Sequence, residues 1–160
     1  MNSAALRAER AVADYLSAAT WTGVTEPTFL ASYDRGANAA QSEESRDTMP
    51  AFPYAIIRAT SSNPVHPHDL THEIGLTVDL FLSADDAEAS AVLATVGTLE
   101  GLIRELFDTS GATVLNAAAD NANGPFQAHF AFPGDFGGSS IEGRARVFSR
   151  NFTLFGSATL

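Results

Sequence analysis

The segment His72–Leu82 constrains this chain more than any other, because Ile74, Leu76, Val78, Leu80 and Leu82 recur at every second position with mostly polar residues between them. Successive side chains of an extended strand point to opposite faces, so the pattern predicts a strand with one face on a core. Such a strand needs a covering layer, and the next residues supply one. Ser83 stands before Asp85, Asp86 and Glu88, a capping pattern whose acids suit the positive end of a helix dipole. Val92, Val96, Leu99, Ile103, Leu106 and Phe107 then mark a helix over 85–107, and Asp108-Thr109-Ser110-Gly111 is its stop.

The other elements are weaker. Asn2 or Ser3 can cap a first helix ending near Ala19, whose apolar stripe of Leu6, Val12, Ala13 and Leu16 is thin and holds Glu9 as its one polar intruder. One short strand is expected within 20–33, and Pro53–Ala59 reads as another, entered from a proline-rich approach. Between them, 34–50 has almost nothing to bury and is expected to be a long surface loop. After Gly111, Thr113-Val114-Leu115 carries a strand signal, as does 126–132, where Phe126, Phe130 and Phe132 are expected on one face. A glycine-rich loop over 133–143 leads to a final strand at about 143–155. There Arg144, Arg146, Phe148, Arg150, Phe152 and Leu154 alternate with a second, partly apolar set, so this strand is expected inside the sheet or against a neighbouring chain. The order α-β-β-β-α-β-β-β predicts a single α+β domain over 1–160, a largely antiparallel sheet with two helices on one face.

Charge narrows the function. Nine Arg against nineteen Asp plus Glu give a net charge of −10, which argues against non-specific binding to nucleic acid or anionic membranes. The absence of cysteine excludes disulfides and thiol chemistry, and the absence of lysine excludes Schiff bases and lysine-dependent phosphate chemistry. No window is apolar for long enough to span a bilayer, and the N-terminal residues hold no apolar core of signal-peptide length. A soluble protein kept in a cytoplasm is the expectation.

The densest chemical cluster is His66-Pro67-His68-Asp69-Leu70-Thr71-His72-Glu73. A loop could bring His66, His68 and His72 around zinc, with Asp69 or Glu73 as a further ligand or base. The spacing matches neither the helical His-Glu-x-x-His pattern nor a zinc finger, and a polar turn shaped by Pro64 and Pro67 accounts for the same residues. Asp135-Phe136-Gly137 lacks every other part of a kinase, and Gly137-Gly138-Ser139-Ser140 is no nucleophile elbow. The pairs Glu43-Glu44 and Asp85-Asp86 fall in a loop and a helix's opening turn, where solvation and the dipole explain them. Arg144, Arg146 and Arg150 offer either a cross-subunit or anion contact or a solvated face with acid partners on adjacent strands. Trp21 reads as a core or interface anchor, and His129 as the maker of an ordinary hydrogen bond.

Taken together, the helix at 3–19, the entry Phe52-Pro53-Tyr54-Ala55-Ile56-Ile57, the strand 73–81, the helix 85–107 and the strand 146–154 resemble the tail terminator and head–tail connector proteins of long-tailed bacteriophages. The likeness covers most of the chain and is one of architecture, without an invariant motif. It implies a non-catalytic virion protein without cofactor, assembled in the bacterial host cytoplasm. It further implies a hexameric ring at the end of the tail tube that stops tube growth and joins tail to head, with long loops touching tube or neck proteins. An acidic ring would let DNA pass without holding it. Two alternatives stand beside it: a small metal-dependent enzyme centred on His66, His68 and His72, and a ligand-binding domain using the face of Phe126, Phe130 and Phe132.

Overall fold

In a computed structural model that describes residues 4–32, 51–65, 71–83, 89–118, 126–142 and 145–158, the alternating segment is the middle of the sheet. Chain order is α1 (Ala4–Ala18), β1 (Thr28–Ala31), β2 (Tyr54–Pro64), β3 (Thr71–Ser83), α2 (Ala89–Glu105), α3 (Gly111–Ala118), β4 (Phe126–Glu142) and β5 (Ala145–Ala158). The strands lie in the order β1-β2-β3-β5-β4, antiparallel throughout except for the parallel pair β1 and β2. This is the mixed α+β, mostly antiparallel architecture that the sequence predicts.

Ile74, Leu76, Val78, Leu80 and Leu82 are all buried on the helix side of β3. Register carries that face across the sheet: Ala55 and Ile57 lie opposite Leu80 and Val78, while Phe152 and Leu154 lie opposite Leu76 and Ile74. Ala4, Ala8 and Ala11 are buried in α1, so its thin stripe works by letting the helix lie close over β1 and β2. The longer α2 rests on larger side chains, and Phe107, just beyond its end, meets Phe152 edge-on at 6.4 Å.

Three expectations are corrected. There are three helices among the described residues and not two, because Thr113-Val114-Leu115 belongs to α3. Gly111 packs so closely on the backbone of Glu105 and Leu106 that a side chain there would collide, and this tight turn lets α3 start directly after α2. Burial of Leu115 at 0% exposure then outweighs the β preference of its neighbours. The 133–143 segment is not a loop as far as Glu142, because β5 pairs with β4 along its length. Register shifts between Pro133 and Gly138 absorb the irregular residues, with Gly138 at φ 100°. Finally, Phe126 does not share a face with Phe130 and Phe132. The expected loop 34–50, the capping acids Asp85, Asp86 and Glu88, and His66, His68, Asp69 and Arg144 lie outside the described residues.

Candidate functional site: an exposed aromatic sheet face

The departure of Phe126 from its expected neighbours creates the site. Phe126 pairs with Ala158 and is buried under the helices, where Gly156 leaves room for its ring. Between Ala128 and Phe130 the register against β5 shifts by one residue. The extra residue, His129, is a bulge, and a one-residue slip sends the side chains that follow, as far as the next shift after Pro133, to the other face. Phe130 therefore lies opposite Phe155 and Phe132 opposite Thr153, on the face away from the helices. The rings of Phe130 and Phe155 stack at 4.6 Å, and Phe132 meets them edge-on at 5.3 and 5.5 Å. Phe130 and Phe132 stay 48% and 53% exposed on a strand at the edge of the described sheet. Beside them, His129 Nε2 and Ser157 Oγ are hydrogen-bonded at 2.8 Å.

The centre of this face is polar. Asp79 accepts from Arg58 Nε at 3.0 Å and from Ser149 Oγ at 2.6 Å, and Thr77 donates to Asn151 at 2.7 Å. At the far corner Tyr54 stacks between Phe52 and Phe81, with Phe52 exposed. Two aromatic corners flanking satisfied polar pairs suit recognition by contact.

The residues singled out from sequence are dispersed. Trp21 donates from Nε1 to the Leu16 carbonyl at 3.1 Å and lies 5.5 Å from Phe29, so it caps the end of α1 and fastens it to β1. Arg146 and Arg150 lie opposite Leu82 and Val78, under the helix layer, and the Nε of each is buried without a hydrogen bond. Arg150 reaches Glu100 of α2 at 3.7 Å. His72 lies in β3 next to Glu73, and strand alternation points the two to opposite faces, so they cannot serve one ion. Among the described residues no three His, Asp or Glu side chains are grouped to hold a metal.

A second feature was not foreseen. Where the C-terminal ends of α1 and α2 meet α3, a cleft of about 530 Å³ is lined mainly by Ala18, Ala19, Leu102, Val114, Ala117 and Ala118. Tyr15 lies in its wall, donating to the Leu102 carbonyl at 2.7 Å. Burial, reinforced by the nearby Glu105 carboxylate, pushes the phenol up to about 12. The helical spacing of Leu6, Val12, Ala13 and Leu16 announced α1, but nothing local announced α3, which closes the cleft. A smaller cleft of about 310 Å³ lies between Phe52, Pro53, Leu82 and the start of α2. No protein-family model matches this chain, and no curated protein matches it.

Proposed function

We infer that this chain is a structural virion protein of the tail terminator or neighbouring head–tail connector kind. In this reading it forms a ring of six copies at the head-proximal end of a phage tail tube, ends tube growth and joins tail to head. The observation that supports it best is the exposed pair Phe130 and Phe132, backed by the half-buried Phe155, on the sheet face away from the helices. Clustered aromatic rings left in water favour a protein contact, and aromatic residues are the commonest anchors of such contacts. The net charge of −10 fits a channel that passes DNA without binding it.

The test is the mass of the purified chain by light scattering over a range of concentrations, with metal content read on the same sample. A particle of about six subunits supports the ring. A concentration-independent monomer carrying near-stoichiometric zinc overturns it and returns attention to His66, His68 and His72.

A further inference from the structure

A closed ring of identical copies built head to tail needs two different and mutually complementary surfaces on each copy. The fold provides one convex and one concave apolar surface. The convex one is the pair of exposed rings, Phe130 and Phe132, backed by Phe155. The concave one is the helical cleft, whose alanine walls leave room for aromatic side chains and whose Val114 is 51% exposed. We propose that Phe130 and Phe132 of one copy insert into the cleft between α1, α2 and α3 of a second copy, and that this is the repeating subunit contact. The proposal rests on the ring reading and adds the contact to it.

Three observations favour a second copy as the occupant. The two surfaces lie on opposite sides of one sheet, so no copy can place its own Phe130 and Phe132 in its own cleft, and each contact leaves a free knob and a free cleft to propagate. Their spacing is fixed, because the Asn116 amide of α3 donates to the Ala128 carbonyl at 2.9 Å and accepts from the Ala128 amide at 2.7 Å, two residues before Phe130. Their edges are chemically matched: the exposed Glu105 borders the cleft and the exposed His129 borders the knob. A knob-to-knob pair would cover the rings but leave the cleft open and end at a dimer.

The chain contains no cysteine, so engineered pairs report cleanly. Phe132→Cys and Ala117→Cys placed in one chain should, on oxidation, give a ladder of covalent oligomers ending at the ring mass. Each single variant should give no ladder, and an equal mixture of the two singles should give covalent dimers only. Phe130→Cys with Ala18→Cys is the second pair, and circular dichroism with a cooperative melt verifies folding of each. Covalent dimers from Phe132→Cys alone overturn the proposal in favour of a knob-to-knob contact. A chain that is a ring by light scattering but yields no ladder from either pair overturns the contact and leaves the ring. A chain that stays monomeric and yields no ladder overturns both.

Discussion

The Glu9 carboxylate accepts the Ala59 amide at 2.8 Å, at the point where β2 slips register against β3. A strand amide beside a bulge still needs an acceptor, and a part-buried one left without it is costly. The other carboxylate oxygen accepts from Ser32 Oγ at 2.8 Å, so one side chain ties α1 to the residue after β1 and to the irregular point of β2. Glu9→Ala should destabilise the fold by about 2–4 kcal/mol, since it takes a buried acceptor away from two part-buried donors. Glu9→Gln keeps an acceptor for Ala59 and should cost about 1 kcal/mol. Urea unfolding of the two variants checks the order; equal losses would mean that the Ala59 bond is not what Glu9 contributes.

Tyr15 carries a pH signature. Its folded pKa is about 12 against an ordinary 10, because burial first and Glu105 second disfavour the phenolate. Between these values the unfolded chain has lost the proton that the folded chain still holds, so stability is complete below pH 10 and falls as pH rises toward 12. The loss should reach roughly 2 kcal/mol. Tyr15→Phe should flatten that decline and cost about 1 kcal/mol at neutral pH through the lost bond to Leu102. Unfolding curves at a series of alkaline pH values test both, and an unchanged slope in Tyr15→Phe would assign the decline to other groups.

The fold was legible where one local signal dominated. In β3 nothing competes with the two-residue period of Ile74 to Leu82, and in α2 the stripe from Val92 to Leu106 is long enough to outweigh its threonines. The reading failed where distant partners decide. Thr113 and Val114 favour strand, yet the turn at Gly111 and the burial of Leu115 make a helix. Phe126, Phe130 and Phe132 share even numbers, but the bulge at His129 exists only against β5 and separates them. Glu9 looked like an interruption of the α1 stripe because its acceptors' partners lie 23 and 50 residues away. The exposed aromatic face was thus half visible: Phe155 belongs to the partly apolar set that alternates with the arginines, but its stacking on Phe130 depends on that slip.

Asn116 closes part of the free edge of β4, giving Ala128 a donor and an acceptor much as a neighbouring strand's peptide would. Edge strands left open invite pairing between chains. Asn116→Asp can still accept the Ala128 amide but places a carboxylate against the Ala128 carbonyl. It should lower stability by about 1–3 kcal/mol and promote aggregation on heating. Asn116→Gln tests whether the length of the side chain matters, and a thermal melt followed by both circular dichroism and turbidity separates lost stability from edge pairing. Retention of the native midpoint in Asn116→Asp would show that the edge needs no such cover.

Arg150 was an interface candidate on sequence, but the strand register turns it under α2, where its Nε is buried without a hydrogen bond and Glu100 is 3.7 Å away. A pair this loose recovers little of the desolvation that burying part of a guanidinium costs. Its aliphatic stem meanwhile lies on the strand face that Phe148 and Phe152 share, where an unbranched apolar chain can take its place. Arg150→Met should therefore leave stability within about 1 kcal/mol of the parent, on either side. Arg150→Ala should cost more, about 1–3 kcal/mol, by opening a gap under α2. Neither change should alter the oligomer mass, because the side chain belongs to the interior between sheet and helix. Loss of the assembled species in Arg150→Met, with an unchanged melt, would restore the arginine to the subunit contact and count against a contact centred on Phe130 and Phe132.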